Sequence, residues 1–82
     1  MWVKRDNWIY KLETFADVHL GECGYITAYY PNDDLDEDSY EITLYSSRGN
    51  RELSSKVFNK FCQAIAEGKT FFDFNEAEKE CL

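Results

Sequence analysis

The chain has no surplus of positive charge. Nine Lys and Arg face sixteen Asp and Glu, giving a formal net charge of −7 over 82 residues. Nucleic-acid binding is driven by neutralising phosphates with basic side chains, so this balance argues against direct DNA or RNA binding. Cysteine is scarce and odd in number, with Cys23, Cys62 and Cys81 at no close spacing. A secreted disulfide scaffold carries an even number at tighter spacing, so these residues read as reduced thiols of a cytoplasmic protein. No apolar run approaches the roughly 18 residues of a membrane span. Met1-Trp2-Val3-Lys4-Arg5-Asp6 also lacks the apolar centre of a signal peptide. Proline occurs once, at Pro31.

Aromatic residues, by contrast, are plentiful: two Trp, six Tyr and six Phe. Each can bury roughly 150–250 Å², which helps a chain so short that it hides only somewhat more than about 60% of its unfolded surface. The length has room for one domain, spanning residues 1–82, with one modest core. The negative charge is concentrated. Asp33, Asp34, Asp36, Glu37 and Asp38 sit almost side by side, and Asp73, Glu76, Glu78 and Glu80 face only Lys79 near the end. The remainder is close to neutral, so the chain reads as a neutral body with two acidic patches that would attract a basic partner.

Alternation defines the strands. Trp2 to Arg5 and Trp8 to Leu12 form a hairpin about Asp6-Asn7, with Trp8, Tyr10 and Leu12 on one face. Ala16, Val18 and Leu20 fall on the buried side of a third strand, which ends at the two glycines of Gly21-Glu22-Cys23-Gly24. Tyr25–Tyr30 stops at Pro31, and Tyr40–Tyr45 follows the acidic run. The expected fold is α+β: an antiparallel meander of four to five strands with one main C-terminal helix packed on one face. Ser54 is the expected N-cap, with Leu53 and Phe58 as a hydrophobic staple. Val57, Phe58, Phe61, Ala64 and Ile65 form the apolar stripe, Cys62 lies at its edge in the core, and Gly68 ends the helix. Thr70-Phe71-Phe72-Asp73-Phe74 is too aromatic for a free tail and should fold back on the sheet or helix. Asn75 would then cap a short final turn.

One helix covers one sheet face. The face with Ile26, Ala28, Tyr30, Tyr40, Ile42 and Leu44 is the apolar one. Strict alternation leaves Tyr25, Thr27, Tyr29, Glu41, Thr43 and Tyr45 on the other, where three tyrosines suit a protein interface or lie beneath another segment of the chain. Asp34, Asp36 and Asp38 match the first ligand positions of a helix–loop–helix calcium site, but Ser39 replaces the required glycine and Tyr45 the closing glutamate. His19 with the cysteines lacks zinc-ligand spacing, so no metal or other cofactor is expected. Asp17 and His19 share a strand face without a nucleophile motif or phosphate-binding loop, which argues against an enzyme.

The strands Tyr25–Tyr30 and Tyr40–Tyr45, the run Asp33–Asp38, the helix Ser54–Glu67 and the acidic tail Glu76–Glu80 together resemble small phage and mobile-element inhibitors, particularly acidic sheet-plus-helix anti-CRISPR proteins. The opening Met1-Trp2-Val3 with Trp8-Ile9-Tyr10 also looks like short bacterial and phage proteins of unassigned function. The resemblance implies binding to a nuclease or effector complex, with carboxylates occupying a site meant for phosphates. The expected function is therefore protein binding without catalysis. The acidic run (Asp33, Asp34, Asp36, Glu37, Asp38) would supply charge, and Tyr25, Tyr29 and Tyr45 would act as anchors on a partner's basic surface. A homodimer through the tyrosine face is the alternative, and a small metal-binding regulator a further one.

Overall fold

A computed structural model describes residues 1–31 and 41–82. The acidic run Asp33, Asp34, Asp36, Glu37 and Asp38, together with Tyr40, lies outside the described residues. Among the described residues six strands and two α-helices follow in chain order, with a short 3-10 turn at Leu12–Thr14: β1 (Trp2–Arg5), β2 (Trp8–Lys11), β3 (Asp17–Leu20), β4 (Tyr25–Tyr29), β5 (Glu41–Ser46), α1 (Arg51–Ala66), β6 (Phe71–Asp73) and α2 (Phe74–Cys81). The α+β class holds, but the single meander does not. The strands form two three-stranded sheets, ordered β2-β1-β6 and β3-β4-β5.

The first sheet begins as the expected hairpin, in which Asp6 takes the left-handed conformation (φ 52°) that its short polar side chain tolerates. It is completed by β6, which runs parallel to β1 in the register Trp2↔Phe71, Val3↔Phe72, Lys4↔Asp73. The aromatic segment does fold back, and as a strand. Parallel neighbours need a long crossover, and here nearly the whole chain separates the two strands. The second sheet is wholly antiparallel and built from consecutive strands.

Both sheets contribute to one core. Val3 from the first and Ile26, Ala28, Leu44 and Tyr45 from the second are buried with Val57 and Phe61 of α1 and Phe74 and Ala77 of α2. Phe61 is its aromatic hub, with ring centroids 5.3 Å from both Phe72 and Phe74. The inner line of α1 is Ser54, Val57, Phe61 and Ala64. Ile65 and Cys62 fall outside that line and are exposed, which corrects their assignment to the core. Ala16 is also exposed, because it precedes β3 instead of lying in it.

The helix starts one turn earlier than Ser54. Asn50 is the cap, its side chain accepting from the Leu53 N–H at 3.1 Å. Ser54 is instead fully buried, and its hydroxyl donates to the Gly24 carbonyl at 2.5 Å. Gly24 has φ +84°, and a Cβ there would meet Ser47 Oγ at 3.2 Å and Ser54 Oγ at 3.3 Å. The turn between β3 and β4 therefore needs glycine both for its backbone and for the close approach of α1. In α2 the cap is Asp73, which accepts from the Asn75 and Glu76 N–H groups. Asn75 lies inside the helix, and its amide exchanges two hydrogen bonds with Asp6, at 2.6 and 3.1 Å, tying α2 to the first hairpin.

Candidate protein-binding face

The face of β3-β4-β5 turned away from the core is set by register. Cross-strand partners share a face, and Asp17↔Tyr29, His19↔Thr27, Thr27↔Thr43, Tyr29↔Glu41 and Tyr25↔Ser46 are the outward pairs. Tyr29 thus has a carboxylate on each neighbouring strand. The His19 imidazole stacks on the Tyr29 ring with centroids 5.1 Å apart and planes 19° from parallel. A hydrogen bond to Glu41 holds the Tyr29 phenol above its ordinary range, and partial desolvation and the charges of Glu41 and Asp17 act in the same direction. Tyr25 is 46% exposed at the other end of the strand. The face offers two aromatic rings, an imidazole and two carboxylates, a set suited to cationic side chains through charge and ring-face contact.

Tyr45 is not part of this face. The register passes from Ile26↔Tyr45 to Thr27↔Thr43, leaving Leu44 as an extra residue in β5. Such a bulge breaks the two-residue period, so Leu44 and Tyr45 both point inward. The Tyr45 ring stacks near Phe74 at 6.1 Å, and its hydroxyl donates to Glu78 Oε2 at 2.6 Å. Burial pushes the Tyr45 phenol well above its ordinary range, and the hydrogen bond to Glu78 and that carboxylate's charge add to the effect. No glycine or proline marks the bulge, and strict alternation from Tyr40 onward therefore places Tyr45 outward. Its role is structural.

A polar cleft of about 710 Å³ lies where the first hairpin, the end of β5 and α2 meet, lined among others by Arg5, Asp6, Ser46, Arg48, Asn75 and Glu78. Arg5, Asp6 and Glu78 each have a neutral hydrogen-bonding partner within the chain. Arg5 donates to the Thr43 carbonyl at 2.5 Å, Asp6 pairs with Asn75, and Glu78 accepts from Tyr45. The Arg5 Nε, 3.8 Å from Asp6, is buried without a hydrogen-bond partner. Periodicity gave no signal for this cleft, because its residues come from three distant segments.

Asp17 and His19 do share a face as their spacing requires, but the imidazole lies against Tyr29. Cys23 and Cys62 are exposed free thiols and Cys81 is partly covered. Among the described residues no three His, Cys, Asp or Glu side chains gather in a metal-binding group. No helix among them is long and apolar enough to cross a membrane. No family model, curated protein or solved structure matches this chain.

Proposed function

We propose that the chain is a non-enzymatic protein-binding module that applies the Asp17–Tyr29–Glu41 side of its second sheet to a basic surface of a partner. The supporting observation is the outward pairing of Tyr29 with a carboxylate on both neighbouring strands, beside the exposed ring of Tyr25. Aromatic anchors framed by charge of one sign favour a partner of the other sign and speed its capture. The acidic run Asp33, Asp34, Asp36, Glu37 and Asp38 separates β4 from β5 in sequence and adds five further negative charges to the connection between these strands. In its sharper form the module is a phage-type inhibitor, similar to anti-CRISPR proteins, that occupies a surface meant for nucleic-acid phosphates. It works in the cytoplasm, where its three free thiols stay reduced.

The test is capture of host proteins from nuclease-treated lysate by the immobilised chain, compared with two variants. One carries Tyr25→Ala with Tyr29→Ala, and the other neutralises the five carboxylates of residues 33–38 to Asn or Gln. Capture should weaken in both, and the neutralised variant should lose most of the salt dependence. A captured protein should also release labelled nucleic acid when the native chain is added. Equal capture by the native chain and both variants would overturn the reading.

A further inference from the structure

The outer face of the first sheet is a second exposed aromatic surface that alternation alone does not single out. Trp2 lies between Lys11 and Phe71, and in the next row Lys4 lies between Ile9 and Asp73. Trp2, Ile9 and Phe71 are 47%, 56% and 49% exposed, an apolar cluster of the kind that marks contacts. The charge of this face is opposite to that of the tyrosine face. Lys4 and Lys11 stand on it, and Asp73, the acid that its described strands place there, lies 3.8 Å from Lys4 and caps α2 with its other oxygen. The tyrosine face carries Asp17 and Glu41. Each surface is the side of its sheet turned away from the shared core, so the core covers neither of them.

We infer that the two faces belong together in a head-to-tail contact: the Trp2–Ile9–Phe71 face of one copy receives the Tyr25–Tyr29 face of the next. A two-fold contact through either face would set lysines against lysines, or carboxylates against carboxylates, and like charges brought together across an interface repel. Pairing the unlike faces removes that conflict and gives a heterologous contact, which propagates into an open chain or closes into a ring. This inference rests on the reading of the tyrosine face as an interface, and it makes a second copy one occupant of that face. A partner with a stronger basic surface would then compete with self-association.

Sedimentation equilibrium of the full chain tests it. The mass of the native chain should rise with concentration past that of a dimer, or to one ring size, and fall as salt is added. Reversing charge on either face, by Lys4→Glu with Lys11→Glu or by Asp17→Lys with Glu41→Lys, should weaken association at least about tenfold. An equimolar mixture of the two variants should associate again, and weakening by reversal on either face alone is the outcome that a two-fold contact through one face does not allow. A native chain that stays monomeric to millimolar concentration, or a mixture no more associated than its components, would overturn the inference. Ile9→Ser, at an exposed site, guards against misfolding of the reversed variants and should also weaken association. The same Ile9→Ser chain should keep full partner capture. A monomeric native chain that still captures its partner sinks this inference alone, whereas self-association without capture sinks only the proposed function.

Discussion

The two sheets differ in how far apart their strands lie along the chain. The β3-β4-β5 sheet is made of strands consecutive in the chain, whereas β2-β1-β6 recruits its last strand from the far end of the molecule. The first kind of sheet is written in local alternation, and the second exists only once the core has assembled. Closing long loops costs entropy that only the final contacts repay. The first sheet should therefore depend more heavily on the core residues that bring β6 home.

The largest expected effect removes the hub of that core. Phe61→Ala should cost about 3–5 kcal/mol in chemical denaturation. Because Phe61 touches Phe72 beside β1, amide exchange should accelerate in β1 and β6 before it does in β4. Equal acceleration in both sheets would erase the proposed difference between them. Ser54→Ala acts on the other side of the comparison. It leaves the Gly24 carbonyl without its buried donor, and should cost about 1–3 kcal/mol with the loss felt in the β3–β4 turn.

Asp73→Ala probes the join between β6 and α2, where loss of the cap should cost about 0.5–2 kcal/mol. Tyr45→Phe is smaller at neutral pH, at about 1 kcal/mol for the lost hydrogen bond to Glu78. Its signature is in alkali. The folded chain raises the Tyr45 phenol above its unfolded value near 10, so the protonated form favours folding. That contribution is complete below pH about 10 and is lost as pH climbs beyond it. Denaturation midpoints of the native chain should fall more steeply there than those of Tyr45→Phe, and parallel curves would contradict the burial argument. Tyr25→Ala should change stability least, by within about 0.5 kcal/mol, because its ring stands at the surface.

These differences also explain what could be read in advance. Strands β1 to β5 and the body of α1 follow from alternation, the Asp6-Asn7 turn and the helical spacing of Val57, Phe61 and Ala64. Tyr25 and Tyr29 fall on the outward face as their period requires. Tyr45 does not, because one extra residue at Leu44 reverses the phase without any compositional mark. Asn50 and Ser54 are both good caps one turn apart, and only tertiary contact with Gly24 decides which goes inside. The exposed row Trp2–Phe71 could not be foreseen, since it needs the register of a parallel pair separated by most of the chain.

The claim at the centre of this account is that the outward face of β3-β4-β5 holds another protein. The most direct measurement is the change in amide chemical shifts of the isotope-labelled chain on titration with a purified captured partner. The account predicts that the largest changes fall on Asp17–Leu20, Tyr25–Tyr29 and Glu41–Ser46. Saturable binding that leaves these three strands unmoved and shifts the exposed side of α1 instead would contradict it.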